Sequence, residues 1–139
     1  MSRITPSMVE HEIQRFWSAF CSKSVEQFSQ FYSPSSVVFG PAAERAESGS
    51  VASMRRAREY MHPEARVTVS LGHIEVQTLS DTTAVASYPY SFAARNVAKD
   101  FRGSVDQVVD HARVTQVFEL RDDGALQIIH EHISVVMKV

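Results

Sequence analysis

The sequence predicts an α+β domain in which helices pack against a curved antiparallel sheet. Three observations predict it. Apolar residues recur at helical spacing up to Pro63, they alternate in long β-branched runs after it, and polar turn signals separate those runs. A chain of 139 residues, with 44% hydrophobic and 22% charged residues, suits one folded domain spanning 1–139.

The elements follow in order. Thr5 or Ser7 caps a first helix, with Pro6 in its first turn. Val9, Ile13, Phe16, Trp17, Phe20 and Cys21 form its apolar stripe. A second helix starts at Ser24, with Val25, Phe28, Phe31 and Tyr32 on its apolar face, and Ser33-Pro34 ends it. SSVVFG is a short strand closed by Gly40-Pro41, and residues 41–49 are a loop. Ser50 opens a third helix. Val51, Met54, Ala57, Tyr60 and Met61 fall on one side of it, with Arg55, Arg56 and Arg58 largely on the other, read as a solvated face. His62-Pro63 stops it.

Four strands follow in consecutive antiparallel hairpins: RVTVSLGHIEVQTL, TTAVASYPYSFAA, QVVDHARVTQVFEL and ALQIIHEHISVVM. Turns fall at LSDTT, around KDFRGS and at RDDG, where Asp123-Gly124 is the strongest turn signal. Pro89 inside a strand marks an edge or a bulge.

Composition removes several function classes. A net charge of −2 and a pI near 6.3 leave no nucleic-acid footprint. One cysteine excludes an internal disulfide. The N-terminus lacks a signal-peptide pattern, and no run approaches the ~20 apolar residues of a membrane span. The expectation is a cytoplasmic protein with no nucleic-acid or membrane partner. No phosphate-binding or dinucleotide glycine motif, Cys-x-x-Cys or Gly-x-Ser-x-Gly occurs, and no cofactor is expected.

The last two strands carry the chemistry. A tight hairpin sorts them into two faces. One face takes Arg113, Thr115 and Val117 with Leu126, Ile128, His130, His132 and Ser134. The other takes Val114, Gln116, Phe118 and Leu120 with Ile129, Glu131, Ile133 and Val135. A one-sided sheet would show a clean polar face, and here both faces read as covered. The helices cover one of them. The simplest cover for the other is a second copy of the chain, giving a homodimer through the outer face of the sheet. The mixed face then lines a cavity walled by Trp17, Phe20, Tyr32, Phe39, Tyr60, Tyr88, Tyr90 and Phe92, the usual make-up of a small-molecule site.

The strings VEQFSQFYSPSSVVFGP, GSVASMRRAREYM and RVTQVFELRDDGALQIIHEHIS, together with this layout, resemble the nuclear transport factor 2-like superfamily. The resemblance is strongest to the SnoaL-like, ketosteroid-isomerase-like branch and extends to the association domain of calcium/calmodulin-dependent protein kinase II. It covers nearly the whole chain. Leu126 stands where the family has a tryptophan, and Ser35-Ser36 where it has an acidic pair. The resemblance implies a cone: a strongly bent, cystatin-like sheet wrapped around three helices, with an internal pocket, usually dimeric through the sheet. It specifies no activity, since the superfamily includes enzymes and non-catalytic assembly domains.

Three chemistries bear on these residues. Zinc at His130 and His132 needs a third ligand, and His111, the nearest candidate, shares its parity with the cation Arg113, so no metal is expected. Acid–base catalysis pairs His130 or His132 as base with Tyr88 or Tyr90 as donor, in an isomerase, dehydratase or hydrolase role. Asp106 and Asp110 match no catalytic carboxylate motif. Anion binding places Arg113, with Thr115 and the histidines, on a small carboxylic acid, unless these groups form a satisfied buried network. The preferred expectation is a small-molecule-binding domain for an organic acid. An acid–base enzyme and a non-catalytic oligomerisation module are the alternatives.

Overall fold

A computed structural model describes residues 2–40, 44–98 and 104–135. Residues 41–43 of the expected loop, most of the KDFRGS turn and the side chain of Asp110 lie outside them.

The first helix, α1 (Pro6–Cys21), is capped by Thr5, whose hydroxyl accepts the Met8 N–H, and it buries Val9, Ile13, Phe16, Trp17 and Phe20 as its stripe predicts. The short α2 (Val25–Gln30) ends earlier than expected. Tyr32 and Pro34 belong instead to β1 (Tyr32–Phe39). Tyr32 therefore reaches the interior from a strand. A two-residue β2 (Glu47–Ser48) pairs with β1 and leads into α3 (Gly49–Tyr60), capped by Ser48.

The third helix is rotated from its expected phase. It buries Gly49, Ala52, Ser53 and Arg56, while Val51 and Met54 are 54% and 69% exposed. The cause is a close approach at its first turn. A Cβ at Gly49 would lie 2.1 Å from Ser36 Oγ and 2.6 Å from Tyr32 Cβ, and Ser36 Oγ accepts the Gly49 N–H at 3.0 Å. Only a residue without a side chain seats the helix this deeply against β1. Arg56 follows two turns later on the same face.

The remaining strands are β3 (Arg66–Leu71), β4 (Glu75–Thr78), β5 (Thr83–Ala98), β6 (Ser104–Leu120) and β7 (Leu126–Val135). The first expected long strand is broken at Gly72, whose Cβ position is 2.4 Å from Pro89 Cγ. Pro89 thus sits where β3 hands over to β4 beside β5, inside the sheet and not at its edge. The curved, unclosed sheet has the order β2-β1-β7-β6-β5-β3, with β4 beside β5. The hairpins are antiparallel as expected, and β1 joins β7 in parallel. Gly124, with φ 86°, makes the Asp123-Gly124 turn, helped by Asp123 Oδ1 accepting the Ala125 N–H.

The face assignment of the last hairpin is corrected here. Val114, Gln116, Phe118 and Leu120 face the helices and are buried, so Arg113, Thr115 and Val117 face outward. In β7 a register shift intervenes: Phe118 pairs with Ile128, but Val117 pairs with His130. The extra residue reverses the alternation along the strand. Leu126 and Ile128 point inward as expected, but beyond the bulge Glu131 and Ile133 point inward, and His130, His132 and Ser134 outward.

Candidate functional site

The helix-facing side of the sheet holds a chain of buried polar groups. Glu131 lies at its centre and is fully buried. Its carboxylate accepts from Tyr32 Oη at 2.9 and 3.0 Å, from Gln116 Nε2 at 2.7 Å and from Arg56 Nη1 at 2.8 Å. Arg56 Nη1 also donates to Tyr32 Oη at 2.6 Å. Gln116 Oε1 accepts from Tyr88 Oη at 2.8 Å, and Tyr88 Oη in turn accepts from Trp17 Nε1 at 2.9 Å. The chain therefore runs from α1 through β5, β6 and β7 to β1 and α3. Each link satisfies a group whose burial alone would be costly.

One atom breaks the pattern. Arg56 Nη2 is buried and has no hydrogen-bond partner among the described residues. An unmade bond to a buried cationic donor costs more than a typical hydrogen bond gains. A second donor lies within its electrostatic reach. The Tyr90 hydroxyl makes no hydrogen bond among the described residues, and its ring stacks on Trp17 at 5.1 Å. Phe20, Tyr60 and Phe92 continue the aromatic wall, and Tyr60 Oη donates to Gln107 Oε1 at 2.7 Å.

Electrostatics keep these groups in fixed states. Burial alone would lower the Arg56 pKa, but the adjoining Tyr32 and Glu131 oxygens outweigh it and hold the guanidinium above its usual value. Burial raises Tyr32 and Tyr88 well above the ordinary phenol range. Tyr90 is pushed up to about 12, chiefly by burial, with Arg56 opposing the shift. The tyrosines are neutral donors across the physiological range, and none is poised to act as a base.

The expected site residues divide between the two faces. Trp17, Phe20, Tyr32, Tyr60, Tyr88, Tyr90 and Phe92 lie on the helix side. Arg113 and His132 are exposed on the outer side, with His130 and Thr115 half-buried there. Phe39 is half-buried against His132, its ring 5.8 Å away. The structure therefore does not bring the histidines to Tyr88 or Tyr90, and the arginine inside the domain is Arg56, not Arg113. Sequence reasoning missed Arg56, Gln116 and Glu131. Glu131 carried a signal, as a lone carboxylate in an otherwise apolar alternating set. Arg56 carried one only through its seven-residue spacing from Gly49.

Among the described residues no group of three or more His, Cys, Asp or Glu side chains gathers as a metal site. An open groove of about 320 Å³ lies along α1 and α2, lined by Gln14, Arg15, Ser18, Ala19, Ser22, Gln27 and Phe31, and includes none of the candidate residues. No helix among the described residues is long and apolar enough to cross a membrane.

A three-helix α+β domain with a curved, unclosed sheet is the architecture of the nuclear transport factor 2-like folds. The chain belongs to the SnoaL-like domain family, whose model matches residues 9–138. No curated protein matches it by sequence. Among solved structures, the calcium/calmodulin-dependent kinase II hub homology domain of Chlamydomonas reinhardtii is 22% identical, with a TM-score of 0.72 over 94% of this chain and 97% of that one. A nuclear transport factor 2-like protein of unknown function in nutrient uptake from Rhodospirillum rubrum is 10% identical, with a TM-score of 0.75 over 93% and 98%. The kinase II association domain of Caenorhabditis elegans is 15% identical, with a TM-score of 0.71 over 93% and 94%. At these identities the likeness is one of fold.

Proposed function

We propose that this SnoaL-like domain binds a small organic acid inside the fold, with its carboxylate on Arg56 Nη2 and the Tyr90 hydroxyl. The observation that carries this reading is the buried, unpartnered Nη2. A guanidinium offers two parallel donors to a planar acceptor, and here one nitrogen is committed to Glu131 and Tyr32 while the other is open. The stacked Trp17 and Tyr90 rings, with Phe92 and Tyr60, form the apolar wall. The acid–base alternative loses its proposed pair, because the histidines and tyrosines lie on opposite faces.

The test is a thermal-shift screen of small aliphatic and aromatic carboxylates and their neutral amides, read alongside the fluorescence of the single tryptophan, Trp17. Acids raise the melting temperature and amides do not. Arg56→Lys keeps a charge for Glu131 but removes the second nitrogen, and it abolishes the response, as Tyr90→Phe weakens it. A wild type stabilised by no acid, equal stabilisation by amides, or a folded Arg56→Lys variant with full response overturns the reading.

Self-association is a second reading, carried by a different observation. The three helices cover one face of the sheet, and the other presents Val37, Phe39, Val85 and Val117 to solvent in part. Structural neighbours named as association and hub domains support it. The expected partner is a second copy of the chain. A monomer by light scattering at micromolar concentration overturns it.

A further inference from the structure

The outer face of β6 reads Arg113, Thr115, Val117, Glu119: a cation, two small β-branched residues and an anion at alternate positions. Neighbouring strands extend the two middle positions into rows. Val117 is flanked by Val85 on β5 and His130 on β7, and His130 by Val37 on β1. Thr115 is flanked by Ser87 and His132, and His132 by Phe39. Beyond Arg113 the basic end continues, where the exposed Arg66 and Arg95 face each other directly across β3 and β5. Along β6 this face thus carries a cation at one end, an anion at the other and small residues between, with Asp106 lying by Arg95 and Arg121 engaging Glu119.

We propose that a second copy packs on this face about a two-fold axis that crosses β6 at right angles beside Gln116, setting Arg113 of each copy opposite the partner's Glu119. This rests on the self-association reading and specifies its geometry. A two-fold contact between two sheet faces has its axis in the plane between them. An axis along β6 would place Arg113 on Arg113 and Glu119 on Glu119. An axis across β6 reverses one strand over the other, and the cation and anion, equidistant from Gln116, exchange ends. Arg113 and Glu119 are six residues apart, roughly 20 Å at ~3.4 Å per residue, so each ion pair lies about 10 Å from the axis. Thr115, Val117, Ser87 and Val85 are small enough for the sheets to approach to the usual ~10 Å, a gap that Arg and Glu side chains bridge. Arg113 is exposed and has no ion-pair partner among the described residues. Glu119 is engaged by Arg121 at 2.7 Å through one oxygen and remains about one-third exposed.

Sedimentation equilibrium of the full chain and its charge variants tests the arrangement, with circular dichroism to confirm that each is folded. The wild type is a dimer. Arg113→Glu and Glu119→Arg each place two like-charged pairs in the seam and raise the dissociation constant tenfold or more. Mixing the two variants one to one restores a dimer of wild-type affinity, because every crossing is then a cation on an anion. The double variant R113E/E119R also self-associates normally, and Arg121→Gln has little effect. A monomeric wild type overturns the self-association reading and this geometry with it. A dimeric wild type whose single variants dimerise undiminished, or whose weakened variants are not rescued by mixing, overturns the geometry alone.

Discussion

Arg56 Nη1 lies 2.8 Å from Glu131 Oε1, and both side chains are buried between α3 and the sheet. Such a pair adds little stability relative to an apolar replacement, because desolvation offsets the attraction, but removing one partner strands the other charge.

Glu131→Leu or Arg56→Met alone is therefore expected to cost about 3–5 kcal/mol. The joint Arg56→Met/Glu131→Leu variant costs well under the sum, since no buried charge is left. Urea denaturation of all four proteins in a double-mutant cycle measures the coupling, and additive losses would contradict the buried-pair account.

Gly49→Ala forces a methyl group into Ser36 Oγ and Tyr32 Cβ. The expected loss is about 1–3 kcal/mol, the usual range for overpacking. The same variant displaces Arg56, two turns along the helix, so any thermal response to acids falls more steeply than stability does. An unaltered urea midpoint would show that the helix start is not tightly seated.

Alkaline pH destabilises the fold through Tyr90. Its folded-state pKa, about 12, lies above the ordinary phenol value of 10.0, so between these pH values the folded form binds more protons than the unfolded one. Stability contributed by the neutral hydroxyl is complete below pH 10 and is lost as pH rises toward 12, by an amount on the order of 2–3 kcal/mol. Urea midpoints at pH 8, 10 and 11.5 record the fall, and Tyr90→Phe makes it shallower.

The joint His130→Asn/His132→Asn variant leaves any acid response unchanged, because these side chains lie across the sheet from Arg56. Its effect on stability is small, as for most partly exposed positions. Loss of ligand response with a normal melting temperature would return the histidines to the binding site.

The sequence by itself determined the kinds and order of the main elements, apart from the short β2 and the break between β3 and β4 at Gly72. The apolar stripe of α1, its Thr5 cap, the Asp123-Gly124 turn and the alternation of the late strands are local signals, and each is written within a few residues. They also sufficed to place most of the large rings in the interior, because such rings in a small domain have few places to go other than its core. The faces were decided only in three dimensions. Both sides of the last hairpin are rich in apolar residues, so alternation could not say which side meets the helices, and one inserted residue between Ile128 and His130 reverses the phase midway along β7. The burial of Arg56 depended on how closely Gly49 lets α3 approach Tyr32 and Ser36, a contact between segments distant in sequence. Periodicity is a property of one strand or helix. Which phase is buried is a property of what packs against it.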